Sequence, residues 1–229
     1  MVRPTKKQQT PNLCRSILDA AWRQIAQLGA PALSLRGIAR DLNITAPAIY
    51  NYYPDRDALV TALLIEAYTS FGDAQLAARD SAPTDDPLIR LYAIGNAYRQ
   101  WALTYPERYQ LIFGKPIPGY VAPIEQIFPP AARSLSALVS VVDTLRLTGR
   151  LNAPDFPTPH PNFLPIFEQW QQFSGEFHPL SLSVAILIWT RVHGIVSLEI
   201  GRQIPPFGSD GAGLYEYEMQ SIKKQFFLD

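Results

Sequence analysis

Residues 34–53, SLRGIARDLNITAPAIYNYY, decide the fold. Leu35, Ile38, Ala39 and Leu42 recur at spacings of three and four, which puts an apolar stripe on one face of a short helix. Ser34 stands just before it, where a hydroxyl can accept from an orphan N–H of the first turn. Asn43, a residue that tolerates left-handed backbone, ends it. Thr45 restarts the chain as the N-cap of a second helix, with Pro47 in its first turn, where a missing N–H costs little. That second helix is predicted at about seven to eight residues and has little more than one inward turn, from Ala48, Ile49 and Tyr52. Thr45, Ala46, Pro47, Tyr50 and Asn51 are left to point elsewhere. Such a helix stabilises a fold poorly and is suited to enter a major groove. An ordinary helical hairpin would carry the same short pattern.

Upstream, Asn12 is the predicted cap of a helix running to about Leu28, with Leu13, Ile17, Ala20, Ala21, Gln24 and Ile25 along one side and Gly29 as its stop. Before it lies a polar arm, residues 1–11. Its Arg3, Lys6 and Lys7 suit either a disordered tail or contact with phosphates and a minor groove. Downstream, Pro54-Asp55 closes the pair. Asp55 caps a long helix from Arg56 to about Ala78, with Leu59, Ala62, Leu63, Ala67 and Phe71 inward. Arg56 in the first turn opposes the helix dipole, a conflict that a DNA phosphate or plain solvent would relieve.

These residues carry a family resemblance. The stretch ILDAAWRQIAQLGAPALSLRGIARDLNITAPAIYNYYPDRDALVTALL, residues 17–64, resembles the N-terminal DNA-binding domain of the TetR family of bacterial transcriptional regulators. Three departures are small: a glycine is commoner at Asn43, histidine-phenylalanine at Tyr52-Tyr53, and lysine at Arg56. The resemblance implies that Ser34, Arg36, Thr45, Ala46, Pro47, Tyr50, Asn51 and Tyr52 line the DNA side and that Arg56 meets phosphate. The chemistry agrees. Arg36 can reach a phosphate or a guanine edge, and the hydroxyls of Thr45 and Tyr52 suit backbone oxygens. Asn51 can pair with adenine, while Ala46 or Pro47 can pack on a thymine methyl. Tyr53 fits either an inward place or the helix end.

A chain of 229 residues allows one large or two small domains with a sizeable core. Formal net charge is zero, which argues against a wholly basic nucleic-acid binder. The distribution says more: through residue 60 there are eight basic residues (Arg3, Lys6, Lys7, Arg15, Arg23, Arg36, Arg40, Arg56) against four acidic ones (Asp19, Asp41, Asp55, Asp57). The N-terminal quarter therefore carries +4 and the remainder −4, as expected of a polyanion-facing module joined to something else. The single cysteine, Cys14, allows no intrachain disulfide, fits a reducing compartment, and is expected to be a small buried residue. There is no run of signal-peptide type, and the longest apolar run, Val184–Trp189, is far short of the ~20 residues of a membrane span. A cytoplasmic protein without membrane partners is expected.

Beyond the linker-like SAPTDDP at 81–87, helices are predicted at 87–105, 106–113, 131–151, 163–177, 180–203 and 214–227. Prolines fall between these segments, Pro129-Pro130 among them, and no strand alternation or repeat appears. The fold class is all-α: an N-terminal three-helix helix-turn-helix domain (12–54), a connecting helix (55–80), and a C-terminal helical ligand-binding and dimerisation domain (81–229). LTYPERYQLIFGKPIPGY with WTRVHGIVSLEIGRQ is similar to the WHG-type C-terminal domain of one branch of TetR-like regulators, with Trp189, His193 and Gly194 as its signature.

Two stripes on the 180–203 helix bear on assembly and ligand. Ser183, Leu187, Thr190, Gly194, Ser197 and Gly201 form a mostly small-residue stripe. It is assigned to a homodimer interface, with the 163–177 helix completing a four-helix arrangement; close packing within one subunit is the alternative. Beside it, Trp189 and His193 belong to a bulkier stripe that could line an effector cavity with Tyr98, Trp101, Tyr105, Tyr109 and Phe113. Aromatics at this spacing also make plain core, and His193 reads more readily as a hydrogen-bonded core histidine than as a switch. The expected effector is an apolar or aromatic small molecule. No metal constellation, cofactor motif, phosphate loop or nucleophile elbow is present, so neither cofactor nor catalytic residue is assigned. The leading function is a homodimeric repressor released from a palindromic double-stranded DNA operator by a small molecule. An enzyme and a purely architectural helical dimer are the alternatives.

Overall fold

The computed structural model describes residues 6–204 and 211–228, with side chains from residue 13 onward except at Ser174. Ten α-helices lie among them: α1 Lys6–Leu28, α2 Leu35–Asp41, α3 Ala46–Tyr50, α4 Arg56–Ser81, α5 Pro87–Thr104, α6 Pro106–Phe113, α7 Ile124–Leu147, α8 Leu164–Ser174, α9 Pro179–Ile200 and α10 Ala212–Phe226. The only β-pairing among the described residues is one isolated antiparallel bridge, Leu151 with Phe227. The all-α expectation is borne out.

Three boundaries differ from the expectation. Helix α1 is already formed at Lys6, not Asn12; residues 1–5 of the expected arm lie outside the described residues. Helix α3 has five residues, fewer than the seven or eight expected. Pro129 and Pro130 lie inside α7 instead of ending a segment. A proline removes the N–H that would bond four residues back, which here deprives the carbonyls of Glu125 and Gln126. Both residues are exposed, so water can take over. The turns that follow bury Ala132, Leu135, Leu138, Val139, Val142 and Leu145, and this burial holds the helix together despite its prolines.

Two compact units are present, the described parts of Met1–Ala67 with Tyr105–Ile127, and of Tyr68–Thr104 with Phe128–Asp229. Helix α4 contributes to both, and 105–127, placed with the C-terminal domain on chain order, clusters with the N-terminal helices. In the first unit Ile17, Ala21, Ile25, Ile38, Ile49, Leu59, Val60 and Leu63 form the core. Helix α6 joins it through Arg108, whose guanidinium lies 4.9 Å from the Trp22 ring centre and 4.8 Å from that of Tyr105, with Nη1 3.4 Å from Glu66.

In the second unit α9 is the central helix, packed on α5, α8 and α10. Ser181, Leu182, Val184, Ala185, Ile188, Val192 and Val196 are buried. By length and composition alone α9 is apolar enough to cross a membrane. Here it is a core helix, tied by the Arg191–Glu218 ion pair to α10 and by a bidentate Arg99–Glu199 pair (2.5 and 2.8 Å) to α5.

Candidate nucleic-acid interface

The geometry of 34–53 follows from a few bonds. Ser34 Oγ accepts the Gly37 N–H (3.2 Å), capping α2 as the sequence reading requires. Asn43 takes φ 52°, and the chain turns back so that the Ile44 N–H reaches the Ala39 carbonyl at 2.9 Å. Thr45 occupies the N-cap position of α3 in extended conformation but its side chain makes no capping bond. Ile49 is the one buried residue of α3. Asp55 accepts the Ala58 N–H (2.7 Å) and caps α4.

Tyr53 faces inward, its hydroxyl 3.4 Å from Cys14 Sγ. Burial first, and then that bond, push its phenol above the ordinary tyrosine range. Cys14, expected to be buried, is half-buried.

One anchored side leaves the other open. Ser34, Arg36, Thr45, Pro47, Tyr50 and Asn51 are exposed, Tyr50 at 45%, while Ala46 and Tyr52 are half-buried. Arg36 and Arg40 are exposed and, among the described residues, stand in no ion pair. The result is a short rod with a methyl, a pyrrolidine ring, a phenol and an amide outward, flanked by uncommitted guanidinium charge. Arg56 differs from its expected disposition. Its Nε donates to the Leu33 carbonyl (3.2 Å) and its Nη2 to the carbonyls of Ala30 (3.3 Å) and Pro31 (3.1 Å). The dipole conflict read from the sequence is thus met by the protein's own carbonyls. A motif shows which residue type occupies a position; that Arg56 turns back on a three-residue 3₁₀ turn depends on where that turn lies.

The seven aromatic and imidazole side chains expected around a cavity divide between the two units. Tyr98, Trp101, Trp189 and His193 belong to the second, and Tyr105, Tyr109 and Phe113 to the first. Within the second unit Tyr98 Oη lies 2.8 Å from His193 Nδ1, Ser197 Oγ lies 3.2 Å from Nε2, and Trp189 stacks on the imidazole at 4.9 Å. Phe71 packs against both Tyr98 and Trp101 at 4.9 Å, and the Trp101 indole donates to Ser70 Oγ (2.9 Å). Burial lowers the His193 pKa below its ordinary value. Ser70, Phe71 and Ser197 lie outside the effector reading: the spacing of α4 marks Phe71 only as inward and leaves Ser70 unmarked, and Ser197 falls in the small-residue stripe of α9. In the first unit Tyr109 and Phe113 pack together at 5.1 Å, and Tyr105 lies under Arg108.

On α9, Leu187, Thr190 and Gly194 are exposed, as is Gly201 just beyond it, while Ser183 and Ser197 are half-buried. A Cβ at Gly194 would meet nothing within 4 Å. On α8, Leu164, Ile166 and Phe173 are exposed apolar side chains.

Residues 17–63 match the family described as bacterial regulatory proteins, tetR family, and residues 91–222 match the tetracyclin repressor-like C-terminal domain. The chain is 34% identical over 198 residues to the HTH-type transcriptional regulator Rv1816 of Mycobacterium tuberculosis, covering 86% of this chain and 82% of that one. It belongs to the TetR family. Mb1846 of Mycobacterium bovis, also an HTH-type transcriptional regulator, matches equally. Among solved structures, the regulatory protein SCO4313 superposes with a TM-score of 0.75 at 34% identity, over 96% of this chain and 98% of that one. The fatty acid degradation regulator FadR of Bacillus halodurans shares the fold at a TM-score of 0.65 and 14% identity, over 92% of this chain and 98% of that one. As a TetR-family regulator, this protein has DNA as its partner.

Proposed function

We propose that this TetR-family regulator acts as a homodimeric repressor, released from a palindromic operator in the cytoplasm by a small apolar or aromatic effector. One observation carries the reading: α3 is anchored by Ile49 alone while Thr45, Pro47, Tyr50 and Asn51 stand exposed beside the unpaired Arg36. Ser34, Arg36, Thr45, Ala46, Pro47, Tyr50, Asn51 and Tyr52 form the contact surface. Arg36 and the hydroxyls would take phosphates, and Asn51 with the Ala46 methyl would be placed for base edges. A palindrome requires two such helices about 34–36 Å apart, in successive major grooves. The stripe Ser183, Leu187, Thr190, Gly194, Ser197 and Gly201, exposed at Leu187, Thr190, Gly194 and Gly201 and half-buried at the two serines, supports pairing of two chains there together with the apolar residues of α8: small residues allow close approach of axes, and the apolar ones gain by leaving water. The effector would lodge against Tyr98, Trp101, Trp189 and His193, an aromatic wall with a few polar tips. It can release DNA only by binding one state of the dimer more tightly than the other.

The test is a titration of duplex DNA with wild type, Tyr50→Ala and Arg36→Ala. Two chains should bind per duplex, affinity should fall steeply with log[salt], and each substitution should weaken binding by about tenfold, the size expected for one good contact. Unchanged affinity in both variants would contradict the surface. One chain per duplex would contradict the dimer.

A further inference from the structure

We propose that Arg56 and Gln24 are positioning residues for DNA recognition, clamping residues 30–34 so that α2 starts in the correct place, and that Arg56 does this instead of contacting a DNA phosphate. The inference rests on the DNA-contact reading above and deepens it by dividing the basic and polar residues near α2 into those that touch DNA and those that hold the touching surface.

The segment 29–34 is difficult to hold by backbone bonds alone. Gly29 is left-handed (φ 80°), Ala30–Ala32 form one 3₁₀ turn containing Pro31, and α2 begins only at Leu35. Carbonyl oxygens collect where α1 and the turn end, and a cation is favoured at such a place. Arg56, arriving from the first turn of α4, is that cation. Three of its N–H groups are directed at the carbonyls of Ala30, Pro31 and Leu33, and Nη1 lies 4.0 Å from Asp57 Oδ1. The planar fork of a guanidinium can serve several oxygens at fixed angles, which an ammonium cannot. The side chain is only 29% exposed, and three of its five N–H groups are already committed to backbone carbonyls.

Gln24 holds the other edge of the same segment. It is buried on α1, its Oε1 accepts the Ser34 N–H (3.1 Å), and its Nε2 lies 3.4 Å from Asp41 Oδ2 at the far end of α2. Its amide rests against the α2 backbone where Gly37 leaves room, since a Cβ there would stand 2.5 Å from Nε2. One side chain thus touches both ends of α2, and another ties the preceding turn to α4. Ser34 and Arg36 are carried on the helix so fixed, so a small rotation of α2 would move both relative to the groove.

The experiment uses the full chain and the duplex most enriched from a random-sequence pool. DNA affinity is measured against salt concentration for wild type, Arg56→Lys, Arg56→Gln and Gln24→Ala. Arg56→Lys keeps the charge and loses the fork. If Arg56 were a phosphate contact, lysine would replace it and affinity would stay at wild type. For a carbonyl clamp, affinity should drop about tenfold or more, the loss of charge-assisted bonds, while the slope of log K against log[salt] stays as in wild type. Gln24→Ala should behave likewise. In each variant the amides of 33–38 should exchange faster with solvent deuterium while the thermal midpoint of the second unit is unmoved, which separates misplacement of α2 from general unfolding. Wild-type affinity in Arg56→Lys, or a slope flattened by about 0.9 in Arg56→Gln, would overturn the proposal. A wild-type chain that enriches no duplex overturns the DNA-contact reading itself, and this inference with it.

Discussion

Helices α3 and α9 are held in place in opposite ways. Helix α3 has five residues, one of them buried, and no side-chain cap. Helix α9 has 22 residues, is covered on several sides, and is pinned by Arg99–Glu199, with the Glu199 side chain only 9% exposed. A five-residue helix cannot persist alone in water, because nucleation costs more than so few bonds return. Its existence depends on α2 and on Ile49 reaching the first-unit core. A helix that must present its sides to another molecule cannot also bury them, so its stability is supplied from elsewhere. Helix α9 leaves only a narrow exposed line, Leu187, Thr190, Gly194 and Leu198, and buries or half-buries the rest.

The largest expected effects come from deleting one core side chain beneath each helix. Ile49→Ala and Leu182→Ala should each destabilise by about 3 kcal/mol, transfer and cavity terms together. Urea denaturation followed separately in the two units should show their consequences diverging. Ile49→Ala should abolish DNA binding even where the chain remains folded, whereas Leu182→Ala should leave affinity per folded molecule unchanged. Equal losses of DNA affinity would mean that the two helices do not differ in this respect.

The two N-caps of α2 and α3 sharpen it at a smaller scale. Ser34→Ala removes a capping bond that is present and should cost about 1 kcal/mol of stability. Thr45 makes no such bond, so Thr45→Ala should change stability by less than about 0.5 kcal/mol while still weakening DNA binding. Thermal melts beside affinity measurements decide it; a large stability loss in Thr45→Ala would mean that the hydroxyl caps α3 in solution.

The smallest effect belongs to α9. Burial depresses the His193 pKa in the folded chain, so the unfolded chain binds the proton more readily. The contribution of neutral His193 is fully present above the unfolded value of about 6.5 and is lost as pH falls through the lower folded value. Second-unit stability should therefore decline on acidification across that window. His193→Gln should reduce the decline, as followed by melts at a series of pH values. An identical profile in the variant would assign the acid sensitivity to other groups.

Much of this was legible in local sequence. The capping serine, the left-handed asparagine and the aspartate before α4 each act on neighbours within a few residues, and each appears in the structure as read. Features controlled by distant packing are not legible in local sequence. Pro129-Pro130 has the local chemistry of a break, yet the burial beyond it carries α7 through. Segment 105–127 follows the C-terminal helices in order but clusters with α1, because Arg108 finds Trp22 and Glu66. Tyr105, Tyr109 and Phe113 share aromatic character with Tyr98, and residue type does not encode which unit a side chain joins.

The amino-acid order alone established the all-α class, the helix–turn–helix and the family, since these rest on periodicity, caps and turn residues whose physics is short-ranged. The tertiary structure alone decided that Arg56 spends its donors on carbonyls 23 to 26 residues away, that Gln24 spans α2, and that His193 is bonded at both ring nitrogens. Those pairings depend on distances between segments far apart in the chain, and no local preference encodes them.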